Sequence, residues 1–230
     1  MAYKQPGYRF ENDWLIEEMR TDIEEAVKTG LVIPINVEVK AEQTVLNFEN
    51  ISKWLSEAKT IALMNCSCKM KRKHCDAPLE VCIALNGWAE YYLKSEEAKY
   101  REPHKVDVDE ALKALKKADE AGLVHLAYIY TDNRNEGKPD AICSCCSCCC
   151  SILGGILRYG MAPHLLKASA RSERDESKCE NCGVCVDRCH FGARTMENDH
   201  LVYDESKCLG CGLCVSTCPT GANKLNQLSS

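Results

Sequence analysis

Three features of the sequence predict an α+β fold in two parts. Two helix-then-strand units occupy the first 170 residues, and each runs into a group of cysteines. Eight further cysteines near the C-terminus fall into two near-identical runs. A polar stretch, SARSERDESK, lies between these regions and reads as a linker. The expected division is a Cys-rich N-terminal α/β domain over 1–170 and a small second domain over 173–230.

Each element follows from local pattern. Asn12 or Asp13 caps a helix carrying Leu15, Met19, Ile23 and Val27 at helical spacing, closed by Gly30. LVIPINVEV is extended, with Pro34 making it an edge or irregular strand. Asn50 starts a short helix through Trp54 and Leu55, and TIALMN is a buried strand leading into Cys66. Asp107 and Glu110 form a capping box for the helix VDEALKALKKADEA, which Gly122 stops. LVHLAYIY is the next strand, and the polar loop TDNRNEGKPDA leads to Cys143. SILGGILRYG is a short apolar helix whose Gly154 and Gly155 allow close approach. Trp54, Trp88, Tyr91 and Tyr92 are expected in the core, as is His125. His104 and His164 lack ligand spacing to any cysteine.

The two C-terminal runs carry the most specific chemistry. Cys179, Cys182, Cys185 and Cys189 are spaced C-x2-C-x2-C-x3-C, and Cys208, Cys211, Cys214 and Cys218 repeat that spacing before Pro219. Zinc sites usually need two cysteine pairs separated by a longer span, so zinc fits these triplets poorly. The segment 173–226 resembles the bacterial ferredoxins that hold two 4Fe–4S clusters. Gly183 and Gly212 stand at matching turn positions of the repeat. The resemblance implies cross-ligation, because the fourth cysteine of each run is turned toward the other cluster. Cys179, Cys182, Cys185 and Cys218 then hold one cluster, and Cys208, Cys211, Cys214 and Cys189 the other. His190 stands where such proteins usually have proline. It either tunes a cluster potential or is a surface histidine in a tolerant turn.

The remaining ten of the 18 cysteines form two upstream groups. Cys66, Cys68, Cys75 and Cys82 make the first, and Cys143, Cys145, Cys146, Cys148, Cys149 and Cys150 the second. Structural burial does not explain six thiols within eight residues, so both groups are expected to bind metal. Both follow a helix and a strand, and they converge on one site if those strands are sheet neighbours. Adjacent residues of extended chain point to opposite sides, so the six cannot all face one small cube. Three arrangements fit: two cubanes with two thiols to spare, one cubane with a larger non-cubane cluster, or one cubane with redox-active thiols. At least one further 4Fe–4S cluster is expected. Cys66, Cys68, Cys75 and Cys82 are its principal ligands, a second cluster uses four or more of Cys143–Cys150, and mixed sets are equally allowed. The order of the cysteine groups, with GLVH at Gly122–His125 between them, resembles larger multi-cluster ferredoxin-type proteins of anaerobes. That resemblance implies an iron–sulfur oxidoreductase component without naming a substrate.

Composition excludes other classes. The formal charge of −5 is already acidic, and each cubane adds about −2, so nucleic acid is not an expected partner. No apolar stretch is long enough to span a membrane, and the first residues lack an apolar signal core. A reducing, cytoplasmic setting is expected. The basic run Lys69, Lys71, Arg72, Lys73 and His74 is expected to be a solvated loop offsetting thiolate charge. Its functional alternative is a docking patch for an acidic electron carrier. No P-loop or dinucleotide fingerprint is present, so hydride chemistry needs a partner. The expected function is one-electron transfer with a redox partner protein. The alternatives are a reductase with a catalytic or non-cubane cluster at Cys143–Cys150, and an iron–sulfur redox sensor. Oligomeric state stays open.

Overall fold

The computed structural model describes residues 27–33, 39–40, 48–130, 132, 138–160, 166–168 and 170–228. The expected helix over Leu15–Val27 lies mostly outside these residues. Its last part is corrected: Val27–Ile33 is a strand, β1. Two neighbours override the helical spacing there. β1 pairs antiparallel with β6 (Val124–Tyr130) and parallel with β8 (Leu166–Ala168). Of the expected extended stretch, 31–33 belong to β1 and Val39–Lys40 form β2, while 34–38 lie outside the described residues.

The chain continues through α1 (Phe48–Glu57), β3 (Ile61–Asn65), α2 (Ser67–Arg72), β4 (Glu80–Leu85) and α3 (Asn86–Lys94). A 3-10 turn over Glu96–Arg101, β5 (His104–Lys105) and α4 (Val108–Glu120) precede β6. β7 (Ala141–Cys145) and α5 (Ser151–Tyr159) follow it. The capping box forms as the sequence predicts. Asp107 accepts from the Glu110 N–H at 2.8 Å, and the Glu110 side chain accepts from the Asp107 N–H at 3.1 Å.

Seven strands make one sheet in the order β5-β3-β4-β7-β6-β1-β8. Side chains alternate between its faces, and the sequence divides them by chemistry. Ile61, Leu63, Ile83, Leu85 and Ile142 meet Ile51, Leu55 and Leu115 of α1 and α4 in one apolar core. Ala62, Met64, Cys82 and Ala84, the alternate residues of β3 and β4, pack instead with Cys66, Cys146, Cys148 and Cys149. One face of the sheet is therefore closed by helices and the other carries thiols. Cys143 is corrected from the end of a loop to the interior of β7, directly opposite Cys82 of β4.

The last third of the chain is small and irregular, with short strands and single-turn helices. β9 (Ala170–Arg174) and β12 (Asn223–Gln227) pair antiparallel, and β2 joins β12 in parallel. β10 (Arg194–Glu197) and β11 (His200–Tyr203) form a hairpin. The short helices α6 (Val184–Asp187) and α7 (Leu213–Ser216) each start after a glycine with positive φ, Gly183 at 75° and Gly212 at 84°. Among the described residues, no helix is long and apolar enough to cross a membrane.

Candidate metal centres

The upstream thiols are held by strand ends and helix starts. β3 delivers Cys66 to the N-cap of α2, where its N–H donates to the Leu79 carbonyl at 2.8 Å. Cys82 lies in β4, and Cys143 and Cys145 lie in β7. Past β7 the chain turns tightly, the Cys150 N–H reaching the Cys146 carbonyl at 3.1 Å. Cys150 then caps α5, its sulfur accepting from the Leu153 N–H at 3.4 Å.

The two sequence groups do not stay separate. Cys75 leaves its own group and joins Cys146, Cys148 and Cys149, with all four sulfurs within 4.8 Å of one another. Each of these thiols interacts with the other three, so they form a tetrahedron. Hydrogen bonds from Cys146, Cys148 and Cys149 hold Cys75 well below the usual thiol range. Those from Cys148 and Cys149 bring Cys146 down to about 6. Contacts with Cys146, the largest cause, push Cys148 and Cys149 up, so the four share protons that metal ligation, which requires thiolates, would release.

The other six upstream thiols form a ring. Cys66 interacts with Cys68 and Cys82, Cys82 with Cys143, Cys143 with Cys145, Cys145 with Cys150, and Cys150 with Cys68. The Cys145 and Cys150 sulfurs are 3.3 Å apart. The hydrogen bond with Cys143 pushes Cys82 up to about 12, whereas that with Cys145 brings Cys143 down to about 5. All six line a half-open cavity of about 450 Å³. Its wall also carries Trp88, Tyr92, Tyr128, Tyr130 and Arg101.

The basic run is neither a solvated loop nor an exposed patch throughout. Lys69, Lys71 and Arg72 lie in α2, and Lys69 and Arg72 are buried. Lys69 Nζ donates to the Ser144 carbonyl at 2.7 Å, and Arg72 Nη1 to the Cys149 carbonyl at 2.9 Å. His74 Nδ1 lies 2.7 Å from the Cys148 carbonyl. The reason is local geometry: the end of β7 and the cysteine turn that follows present carbonyls to α2, and this run supplies donors to them. Burial pushes Lys69 down, but the Cys66, Cys146, Cys82 and Cys145 thiolates more than reverse it, so the ammonium stays charged. His125 behaves as a core histidine. It lies 3.0 Å from the Ser144 hydroxyl, and burial lowers it to about 3.

In the tail, Cys189 lines one small cavity together with Cys208, Cys211 and Cys214. The fourth cysteine of the first run thus sits with the first three of the second. In the other set, Cys182 bears on Cys185 and raises it, after burial, the larger cause. Arg194 is buried between the runs, with Nη1 4.0 Å from the Cys185 sulfur and Cys214 among the thiolates that raise it against burial. A side chain at Gly210 would collide with the Ala170 carbonyl, so glycine there lets the start of β9 pack against the second run. The turns before the two runs are also duplicated. Asp175 and Asp204 each accept from the N–H two residues on, at 3.0 Å. The repeated DESKC at 175–179 and 204–208 was available to sequence reasoning as the signal for this.

His190 is corrected from a surface position. It is only 4% exposed and joins the tail to the upstream half. Nε2 lies 2.8 Å from the Gly122 carbonyl, and Nδ1 lies 3.4 Å from the Ser147 N–H and 3.2 Å from its hydroxyl. Nε2 therefore carries the proton and Nδ1 accepts, a neutral form that burial favours by lowering the pKa. Ser147 stands between Cys146 and Cys148, and His190 directly follows Cys189.

Arg101, Tyr128 and Arg194 escaped the sequence reading, because an isolated arginine or strand tyrosine has no spacing signature. Residues 178–222 match the family described as the 4Fe-4S dicluster domain. No curated protein matches the chain. The match and the cysteine geometry together make the C-terminal segment a ferredoxin-type iron–sulfur domain, with a further cysteine cluster upstream.

Proposed function

We propose that the protein is a multi-cluster electron carrier that passes single electrons between its ferredoxin-type tail, 173–230, and metal centres in the Cys-rich region, 1–170. In the tail, Cys208, Cys211, Cys214 and Cys189 hold one 4Fe–4S cluster, and Cys179, Cys182, Cys185 and Cys218 hold the other. Upstream, Cys75, Cys146, Cys148 and Cys149 hold a third. Bound clusters would supply the one-electron chemistry, while the chain fixes their spacing and environment. Four soft thiolate donors are the set a cubane takes, and their contacts of 3.7–3.9 Å, the spacing of sulfurs around a single ion, would widen to seat it. The observation that carries the reading is the His190 bridge. It ties the residue after Cys189 to the residue between Cys146 and Cys148, so the tail is docked onto the upstream thiols rather than tethered loosely. A redox partner protein supplies or removes the electrons. The acidic balance and thiol content fit a reducing cytoplasmic setting.

The test is a freeze-quench series on anaerobically purified protein mixed with a one-electron donor and followed by electron paramagnetic resonance. The tail signals are expected first and the upstream signals after them. In the variant C75S/C146S/C149S the tail signals persist and about four iron are lost, the content of one cubane. Upstream reduction at an unchanged rate after the tail clusters are removed by C182S/C211S would overturn the relay.

A further inference from the structure

We propose that the six-thiol ring is a second upstream metal site, and that it takes an iron–sulfur cluster larger than a single cubane. The inference rests on the iron–sulfur reading of the upstream region and extends it to cysteines which that reading leaves unused.

The geometry separates the ring from the tetrahedron. In the tetrahedron every thiol meets the three others, which is the donor arrangement of one small ion or one cubane. In the ring every thiol meets two neighbours, and the circuit closes through Cys66, Cys68, Cys150, Cys145, Cys143 and Cys82. No subset of four is set apart from the other two. A cubane takes four thiolates and a zinc ion four, so either leaves two ring members over. Six evenly linked soft donors around one cavity of about 450 Å³ fit a polynuclear cluster that uses all of them. The rigid supports agree. Cys82 and Cys143 face each other across paired strands, and Cys66 and Cys150 occupy helix N-caps.

The second observation is a buried donor. Tyr128 lines the same cavity and is 1% exposed, and its hydroxyl has no hydrogen-bond partner among the described residues. An orphaned phenol in a protein interior is costly and points to a missing acceptor. The acceptor is assigned here as a sulfur of the cluster. Tyr128 is thus a positioning residue that tunes the site. Arg101, on the same wall, supplies positive charge opposite six thiolates.

Iron and acid-labile sulfide are counted in the full-length protein purified without oxygen, with Mössbauer spectroscopy to resolve the sites. Three cubanes account for about 12 iron and a fourth would make about 16. A count above about 16 is expected. A count of about 16 or below in protein whose C75S/C146S/C149S variant loses iron, or zinc in the ring, overturns the larger cluster. Substituting C66S/C82S/C145S should remove more than four iron and leave tail and tetrahedron signals unchanged. Loss of the tetrahedron's iron instead would overturn the separateness of the two sites. Loss of iron in the ring variant but none in C75S/C146S/C149S would sink the third cubane of the relay and leave the ring standing. Because three substitutions together can impair folding, Tyr128→Phe provides a milder check. It should keep the iron content and shift the ring site's reduction potential alone. An unchanged potential would remove Tyr128 from the assignment.

Discussion

In the tail, each set of three neighbouring cysteines comes from one unbroken turn, and Cys189 of the first run lines a cavity with the three of the second. In the upstream region, no set is local. Cys75 meets three cysteines more than 70 residues later, and the ring draws Cys66, Cys68 and Cys82 together with Cys143, Cys145 and Cys150. The tail therefore needs little more than glycine turns and short helices to bring its thiols together. The upstream sites need a sheet. β4 and β7 must be neighbours, in register, before either the ring or the tetrahedron can exist. If they bind metal as proposed, that affinity is part of the folding free energy of the thiol-bearing face of the sheet.

The largest way to test this contrast is at Lys69. Its ammonium is 2% exposed, holds the Ser144 carbonyl, and lies among thiolates of both upstream sites. Lys69→Ala leaves buried negative charge without a partner, which costs about 3–5 kcal/mol. Chemical unfolding of the anaerobic protein should show the loss, and iron should leave both upstream sites together. Release from the tail clusters first would contradict the assignment of Lys69 to the upstream face.

The proposed cross-ligation is the next test, because it joins the two runs of the tail. Cys189 shares a cavity with Cys208, Cys211 and Cys214. Cys189→Ala should therefore disturb the cluster of the second run, with its spectrum and potential altered. Damage confined to the cluster beside it in sequence would reverse the proposed ligand sets.

A smaller effect separates docking from ligation. His190→Ala leaves all 18 cysteines in place. It strips partners from the Gly122 carbonyl and the Ser147 N–H, at a cost of about 1–3 kcal/mol. Iron content should stay constant while electron passage from tail to upstream site slows. Unchanged transfer rates with normal iron would show that the bridge only holds the domains together.

How much of this was legible depended on whether the information was local. The capping box of Asp107 and Glu110, the strands at Ile61 and Val124, the helix at Ser151 and the tail runs are written in contiguous residues. All were readable from spacing alone. The partition of the ten upstream thiols was not, because it is set by strand order. Sequence grouping placed Cys66, Cys68, Cys75 and Cys82 together, yet the end of β3, α2 and β4 send three of them to the ring, and the loop before β4 carries Cys75 to the tetrahedron. The basic run misled for a related reason. A charge run is usually solvated, but α2 lies over the end of β7 and the turn after it, and Lys69 and Arg72 are pulled inward to the Ser144 and Cys149 carbonyls. His190 was visible as a departure from the usual proline, while its partners Gly122 and Ser147 are far away in sequence.

The smallest expected effect tests whether the sheet truly keeps its two faces apart. α4 packs on the apolar face through Ala111, Ala114 and Leu115, and meets the thiol cluster only near its end, through Ala118. Its start is fixed by Asp107, which accepts from the Glu110 N–H at 2.8 Å. Asp107→Ala removes that acceptor and costs about 1 kcal/mol. If the helix-covered face and the thiol face are independent beyond their shared backbone, the unfolding midpoint falls slightly and iron content does not change. Two readouts are needed because stability alone would fall in either case. Loss of upstream iron at this small destabilisation would mean that α4 sets the register of β4 and β7, and that the metal sites depend on both faces of the sheet.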